Sequence, residues 1–330
     1  MTHPVPMLEI WRGDVLESQH VGHAVVCNTA GEVVEAWGDP EKVILPRSSS
    51  KMLQALPLIE SGAAAAYGLR SEHLALACAS HQGAAIHRKA VAAWLDHIGL
   101  PDDAFRCGAQ KPSDQDEYER LIRAHEGPCQ YHNNCSGKHT GFLTLTKHLG
   151  AGPEYVDLDH PVQLQVRDVF EEMTGMKSPG YGIDGCSAPN FATELAAFAT
   201  SLARMTHWDE SVRGKATQQL VEAMMLHPDL VAGEGRACTK LMRAVAGKAA
   251  VKTGAEAVFA GILPQKGLGI AIKIDDGSTR ASEAVMANLL VRYGVLDASD
   301  PVAQEYMVGP IRNWRGTVTG QMRLSSSLTN

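Results

Sequence analysis

Apolar and polar residues alternate in short runs at the start of the chain. Between residues 8 and 45 the apolar runs are broken by Arg12-Gly13-Asp14 and by Asn28-Thr29-Ala30-Gly31. Glycine and asparagine at such breaks supply the positive φ that tight hairpin turns require. The pattern therefore predicts two or three antiparallel strands in this part of the chain.

The pattern changes to a helical period at Ser48. Apolar residues recur three or four positions apart from Met52 to Ile59, and Gly62 follows as a stop signal. Helical patterns continue to about residue 247, with glycine and proline between the segments. The clearest predicted helices after the first are Ala84–Ile98, Gln115–Ala124, Pro161–Thr174, Ala192–Arg204, Glu210–Leu226 and Ala237–Val245.

Strand patterns return near the end of the chain. Strands are predicted over 250–252, 257–262 and 268–274, followed by a helix from Ser282 to Tyr293. The polar tail from Trp314 to Asn330 is expected to be irregular and to lie along an edge of the sheet.

This order of elements predicts an α+β fold. One antiparallel sheet built from both chain ends, with helices between them, is the simplest way to cover the apolar faces. Residues 1–47 and 248–330 are expected to form a sheet lobe with a C-terminal helix, and residues 48–247 a mainly helical lobe. Ligand sites tend to occupy clefts, so we expect the active site between the two lobes.

Composition excludes several classes of function. The chain has 330 residues, is 45% hydrophobic and carries a formal charge of −7 without a basic cluster, so we expect no nucleic-acid or anionic-membrane partner. No apolar run approaches the ~20 residues that span a bilayer, and the first residues lack the pattern of a secretory signal. We therefore expect a cytoplasmic protein with a small-molecule substrate, in which most of the seven cysteines are isolated buried thiols.

Ser48 and Lys51 form the first candidate catalytic pair. A residue and its third successor lie on one face of a helix, so the two side chains can meet. Serine is also a common helix cap, and a Ser-x-x-Lys pair alone is more often a cap beside a solvated lysine. Lysine can act as the base for a serine only when burial or a nearby cation lowers its pKa.

Two further motifs strengthen this pair. Ser80 follows the apolar run Leu74–Ala79, and Lys252-Thr253-Gly254 lies in the first strand after the helical middle. Penicillin-recognising serine enzymes carry their three motifs in this order. Taken alone, Ser80 is also typical of a turn, and Lys252-Thr253-Gly254 is also typical of an edge strand. Together they predict that Ser80 relays a proton to the leaving group and that Lys252 keeps the first lysine neutral.

The stretch Asn133–His139 is dense in polar side chains. One helical turn would bring Cys135, Lys138 and His139 together. Cysteine near histidine can be a thiol nucleophile, whereas a buried thiol beside a capping loop is the simpler alternative. Cys-x-x-Lys is not a structural zinc signature, which uses four Cys or His ligands. The spacing leaves these alternatives open.

A Gly/Pro-rich loop over 183–189 is the last candidate. Loops of this composition often carry function. The carboxylate of Asp184 matches a substrate ammonium group in charge, although an aspartate in such a loop can simply close a turn with its own backbone.

Together these motifs resemble the rhizobial-type L-asparaginases, the zinc-associated class with a serine nucleophile. The resemblance covers almost the whole chain and rests on Pro46–Lys51, Cys78–His81, Cys107-Gly108, His132–His139 and Gly182–Cys186. It implies a fold similar to serine β-lactamases and penicillin-binding proteins. It also implies a homodimer that hydrolyses the side-chain amide of L-asparagine to aspartate and ammonia.

The resemblance implies roles for individual residues. Ser48 would be the nucleophile, and Lys51, Ser80 and Lys252 would complete its proton network. Asp184 would hold the substrate α-ammonium and Arg47 or zinc its α-carboxylate. The full substrate-binding set is predicted to be Arg47, Asn134, His139, Asp184 and Thr253.

The family also places zinc near the substrate, held by two cysteines and a lysine. Cys135 and Lys138 match that motif directly. We predict Cys238 as the second cysteine, because it lies just ahead of the strand that carries Lys252.

Four other functions remain open at this point. A glutaminase and a β-lactam-recognising serine hydrolase would use the same fold. A non-catalytic amino-acid-binding module would not need the Ser-Lys-Ser-Lys set. A hydrolase with Cys135 as its nucleophile would be inactivated by iodoacetamide.

Overall fold

Strands come first, helices dominate the middle and strands return at the end in a computed structural model that describes residues 3–329. The strands are β1 (Val5–Arg12), β2 (Val15–Asn28), β3 (Val33–Trp37), β4 (Val43–Ile44), β5 (Tyr181–Ile183), β6 (Pro189–Phe191), β7 (Thr193–Glu194), β8 (Ala250–Thr253), β9 (Val258–Leu263), β10 (Leu268–Ile274), β11 (Pro310–Arg312) and β12 (Val318–Leu324). The helices are α1 (Lys51–Glu60), α2 (Ala63–Ala66), α3 (Ser71–Ala77), α4 (Ala85–His97), α5 (Gln115–Ala124), α6 (Ser136–Leu149), α7 (Pro161–Thr174), α8 (Leu195–Arg204), α9 (Val212–Leu226), α10 (Pro228–Val231), α11 (Ala237–Ala244), α12 (Thr279–Arg292), α13 (Pro301–Val308) and α14 (Ser326–Thr329). Over the described residues, no helix combines the length and the apolar character needed to cross a membrane.

One compact unit contains the main sheet. It comprises the chain up to Ser49, Thr193–Thr206 and the chain from Lys240 onward. Its strands follow the order β11-β12-β1-β2-β10-β9-β8, with β3 also beside β2, and all these pairings are antiparallel. Strands from the two chain ends meet at β2, where Ile270 lies opposite Val26. The predicted α+β fold with an antiparallel sheet built from both ends is confirmed.

Helix α8 packs on this sheet, although it lies within the range 48–247 that was predicted as the helical lobe. The contact is close: a Cβ at Gly269 in β10 would lie 2.1 Å from the carbonyl oxygen of Ala199 in α8. Only glycine permits this approach of helix to strand. The buried end of β2, Ala24–Cys27, completes the core beneath the helix.

The second compact unit comprises Ser50–Ala192 and His207–Thr239 and is mainly helical. Helix α1 lies at its centre and packs against α6, α7 and α9, with eight of its ten residues buried. Strands β5 and β6 form a hairpin in which Tyr181 lies opposite Phe191.

Two segments differ from the sequence prediction. Helix α6 was not among the predicted helices, because it is buried over most of its length and so shows no apolar and polar faces. The expectation of an irregular tail is wrong, because β12 pairs with β1 and places Leu324 opposite Leu8. Most of β12 is at least partly exposed, so its polar composition hid a regular strand.

Candidate active site

A 3-10 turn, Arg47–Ser50, carries the predicted nucleophile. Arg47 has a φ of 55°, a left-handed conformation that is costly for a residue with a side chain. Such strained residues cluster at functional sites. Ser48 is half-buried, whereas Ser49 and Ser50 are fully buried, and the Ser49 hydroxyl donates to the Pro46 carbonyl at 2.6 Å. Ser48 is therefore the most accessible serine of the motif.

Lys51 begins α1 and is buried in the helical unit, with 1% of its surface exposed. Its Nζ donates to the carbonyl of Ala79, to Ser80 Oγ at 3.0 Å and to Cys135 Sγ at 3.1 Å. One amino group thus joins the predicted proton-relay serine to the cysteine motif.

The segment after α3 places Ser80 beside that amino group. The Ser80 amide donates to the Val231 carbonyl at 2.9 Å, and the His81 amide donates to the Asn134 carbonyl at 3.2 Å. Helix α6 then passes very close to α3, because a Cβ at Gly137 would lie 2.3 Å from the carbonyl oxygen of Leu76. Glycine at this position lets the helix of the cysteine motif approach the serine.

A second lysine contacts a second thiol in the same unit. Lys138 Nζ donates to Cys186 Sγ at 3.3 Å. A hydrogen bond between the sulfurs of Cys135 and Cys186, together with burial, raises the pKa of Cys135 to about 12. The same hydrogen bond lowers the pKa of Cys186 well below its ordinary value. Burial lowers the pKa of Lys138, but attraction to these sulfurs outweighs burial and raises it.

The β5–β6 hairpin brings Cys186 to this lysine. The Asp184 amide donates to the Ala188 carbonyl at 3.0 Å, and the Ser187 amide donates to the Asp184 carbonyl at 2.8 Å. Ser187 has a left-handed backbone conformation, with a φ of 71°. The carboxylate of Asp184 also helps to raise the pKa of Lys138. One tight turn therefore brings both Asp184 and Cys186 to the lysine.

The predicted second cysteine, Cys238, and a further cysteine, Cys186, lie in different elements. Cys238 is buried in α11, whereas the thiol of Cys186 lies at hydrogen-bond distance from Lys138. Closeness along the chain to Lys252 favoured Cys238, but a hairpin tip can reach a helix from a distant part of the sequence. The signal was present: Cys186 ends the stretch Gly182–Cys186 that carries part of the resemblance.

A donor set of Cys135, Lys138 and Cys186 fits zinc chemically. Across residues 3–329, no group of three or more His, Cys, Asp and Glu side chains is arranged to hold a metal ion. The third donor beside the two thiols is instead the amine of Lys138, a residue type outside that group. Sulfur and nitrogen donors suit zinc, and three protein ligands leave one position open.

His139 is fully buried beside this cluster. Its Nδ1 lies 2.8 Å from Tyr155 Oη, which accepts the Arg106 amide at 2.7 Å. Burial, followed by the charge of Lys138, lowers the pKa of His139 well below its ordinary value. Its Nε2 is buried without a hydrogen-bond partner in the described part of the chain. No sequence motif includes Tyr155, so sequence analysis did not identify it.

Asn134 and Asn133 shape the loop before α6. Asn134 Oδ1 accepts from the Cys135 thiol at 3.1 Å. The side chain of Asn133 donates to the carbonyls of Cys107 and Gly108 and accepts from the Cys135 amide. The Cys107-Gly108 stretch thus supports the backbone of the cysteine motif.

The Lys-Thr-Gly motif lies in the sheet unit, beside the serine turn. Lys252 is buried in β8 and donates to the Thr253 carbonyl at 2.7 Å, while Thr253 is half-buried. A Cβ at Gly254 would lie 2.7 Å from the Pro46 carbonyl oxygen and 3.1 Å from the Ser49 amide nitrogen. The end of β8 therefore packs directly against the backbone of Pro46–Ser49.

A family model described as L-asparaginase II matches residues 8–324. The chain belongs to the L-asparaginase II family. This member of the family is therefore an amidohydrolase that acts on a small-molecule amide. Its resemblance to L-asparaginases, on motifs spread over the chain, is confirmed.

Solved structures resemble this L-asparaginase II family member only loosely. They include Mglu, at 11% identity and a TM-score of 0.46, covering 83% of this chain and 67% of that one. A β-lactamase from Mycobacterium bovis matches at 14% identity and a TM-score of 0.44, covering 83% and 95%. A putative β-lactamase from Bacteroides dorei matches at 11% identity and a TM-score of 0.46, covering 82% and 92%. A search of curated proteins found no match.

Proposed function

We propose that this protein hydrolyses the side-chain amide of L-asparagine through an acyl-enzyme on Ser48. The contact of Lys51 with both Ser80 and Cys135 carries this proposal. It joins the proton-relay serine to the motif on which the resemblance to asparaginases is most specific. The accessibility of Ser48 beside the strained Arg47 supports its role as nucleophile.

The proposed reaction is acyl transfer in two steps. Ser48 Oγ attacks the amide carbon while Lys51 takes its proton, and Ser80 passes a proton to the departing ammonia. Backbone amides of Ser48 and of the strand near Lys252 stabilise the oxyanion. Water then attacks the ester and releases aspartate, and the serine recovers its proton through the same network.

Substrate recognition is assigned to residues around these two motifs. The carboxylate of Asp184 is proposed to hold the substrate α-ammonium, since it already interacts with one amino group, that of Lys138. Arg47 is proposed to hold the α-carboxylate. The remaining predicted contacts are Asn134, His139 and Thr253.

Cys135, Lys138 and Cys186 are the residues proposed to hold zinc. Bound there, zinc would supply a positive charge for the substrate α-carboxylate. An amine coordinates only without its extra proton, so zinc and a proton compete for Lys138, and zinc binding is expected to weaken as the pH falls.

Paired alanine variants test this donor set. Cys186→Ala is expected to weaken zinc binding by at least about tenfold, because one sulfur ligand is lost. Cys238→Ala removes a similarly buried thiol from helix α11 and is expected to keep its zinc. Zinc content by atomic emission and affinity by chelator competition provide the measurement. Loss of zinc in Cys238→Ala alone would restore the original prediction.

Ammonia release from L-asparagine and L-glutamine tests the function. Ser48→Ala is expected to lower release from asparagine by at least about 1,000-fold, the scale of losing a nucleophile. Ser61→Ala, at the other end of α1, is the matched control and is expected to keep full activity. Substantial activity in folded Ser48→Ala would reject the nucleophile.

The alternatives give different results in the same assays. Faster release from glutamine indicates a glutaminase, and turnover of nitrocefin without amide hydrolysis indicates a β-lactam-recognising enzyme. No turnover in folded protein indicates a binding module. Inactivation by iodoacetamide despite zinc indicates Cys135 as nucleophile. The homodimer, the cytoplasmic location and the cleft between the lobes stay predictions.

A further inference from the structure

Three side chains form a second nucleophile–base–acid arrangement in the helical unit, apart from the Lys51 network. They are Cys129, His132 and Glu117. Of the seven cysteines, Cys129 is the one that is not buried, and all seven are free thiols. The sequence analysis assigned this thiol no role, and the amidohydrolase mechanism does not use it.

Hydrogen bonds fix the orientation and the tautomer of His132. Its Nδ1 lies 3.2 Å from Cys129 Sγ and also accepts the backbone amide of Cys129 at 3.0 Å. Since Nδ1 accepts an N–H, the ring proton resides on Nε2, which donates to Glu117 Oε1 at 3.2 Å. The imidazole therefore presents its basic nitrogen to the thiol and its N–H to the carboxylate.

Further contacts hold the two ends of this arrangement. The backbone amide of His132 donates to the Cys129 carbonyl at 3.1 Å, which closes the turn that holds the thiol and the imidazole together. Glu117 is 3% exposed and accepts from Arg88 at 3.0 Å and from Arg120 at 2.9 Å. Burial raises the pKa of Glu117, but hydrogen bonds to Arg120 and His132 outweigh it and lower the pKa. Glu117 is therefore ionised at neutral pH and can stabilise a protonated imidazole.

We propose that Cys129 is a modification site that undergoes thiol–disulfide exchange with a low-molecular-weight disulfide. His132 Nδ1 takes the thiol proton, and the sulfur attacks one sulfur of the disulfide. The disulfide bond breaks as the new sulfur–sulfur bond forms, and the departing thiolate takes the proton back from His132. Glu117 is a positioning residue, which acts on the thiol only through the imidazole.

The six buried cysteines serve as internal controls. The probe is glutathione disulfide at neutral pH with the full-length protein, and peptide mass spectrometry locates the mixed disulfide. Cys129 is expected to react first and at least about tenfold faster than the same cysteine in the urea-unfolded chain. Earlier reaction at another cysteine, or a native rate no higher than the unfolded rate, would overturn the proposal.

A matched pair of variants on α5 separates activation from simple exposure. Glu117→Gln keeps an oxygen acceptor for His132 but removes the charge, and is expected to slow the exchange by about fivefold or more. Glu119→Gln, on the exposed side of the same helix, is expected to react as the wild type does. An unchanged rate in folded Glu117→Gln would overturn the role of the carboxylate. If that variant does not fold, the comparison of native with unfolded wild type still decides the proposal.

Discussion

Helices α6 and α12 have the same length, 14 residues, and both are largely buried, yet they bury different side chains. In the sheet unit, α12 packs on β9 and β10 mainly through alanine and larger apolar residues such as Leu289. In the helical unit, α6 buries Lys138, His139 and three threonines. Apolar packing explains most of what α12 buries, with Ser282 and Asn288 as its buried polar residues, whereas α6 buries ionisable side chains.

The energetic cost of burial explains the difference. Buried apolar surface contributes about 25 cal/mol per Å², so the composition of α12 stabilises the fold directly. A buried charge or hydroxyl is costly unless it is hydrogen-bonded. In α6 the hydroxyls of Thr140, Thr144 and Thr146 each donate to the carbonyl four residues earlier. These bonds offset part of the cost of burying the three hydroxyls, so Lys138 and His139 are the buried polar residues of α6 that packing explains least.

Among variants of these two helices, the largest effect is expected from Gly137→Ala in α6. The added Cβ would meet the Leu76 backbone at 2.3 Å, so α6 must move away from α3. We expect at least about a 100-fold loss of activity and about 2–3 kcal/mol of lost stability. Amide hydrolysis and urea unfolding provide the measurements. Gly152→Ala, with no atom within 4 Å of its Cβ, is the control. Full activity in Gly137→Ala would show that the close approach is not needed.

A smaller effect is expected from His139→Gln. Because burial lowers the pKa of His139, the unfolded chain binds a proton below about pH 6.5 that the folded protein does not bind. The free energy of unfolding of the wild type therefore falls as the pH drops below that value. The variant should lose this contribution. Its free energy of unfolding should therefore change less steeply with pH than that of the wild type, by about 1.4 kcal/mol per pH unit between pH 6 and pH 5. Urea unfolding at several pH values provides the measurement. The same pH dependence of the unfolding free energy in both proteins would contradict the inference that the buried His139 is neutral.

The same contrast explains how much the sequence predicts. Helices α5 and α7 have the predicted bounds, Gln115–Ala124 and Pro161–Thr174, because each has an apolar and a polar face. Helix α6 lacks this period because both its apolar and its polar residues are buried. Local patterns predict helices whose apolar residues recur at a helical period, as in α1, and fail where buried polar residues interrupt that period, as in α6.

The candidate site also contains residues that the sequence motifs predict and contacts that only the folded structure reveals. The motifs predicted Lys51, Ser80, Cys135 and Lys138, and the structure brings all four together in one network of contacts with Cys186. The contact between Lys138 and Cys186 joins residues 48 positions apart and depends on the β5–β6 turn. Spacing along the chain carries no information about such a contact. The same limit applies to Tyr155, whose hydroxyl meets His139 only in the folded protein.

The smallest effect on activity is expected from Leu289→Ala in α12, and Leu145→Ala in α6 is its matched partner. Both leucines are buried, so each deletion should lower the free energy of unfolding by about 2–5 kcal/mol. Leu145 lines a small cavity together with Lys138 and Phe142, so its loss leaves space beside the lysine. We therefore expect Leu145→Ala to lower kcat/KM several-fold, while Leu289→Ala leaves kcat and KM unchanged well below its melting temperature. Steady-state kinetics at 25 °C and urea unfolding of both variants provide the measurement. Equal losses of activity in both variants would show that the site around Lys138 depends only on the overall stability of the protein. A loss confined to Leu145→Ala would show that packing around Lys138 holds the zinc-donor residues in place.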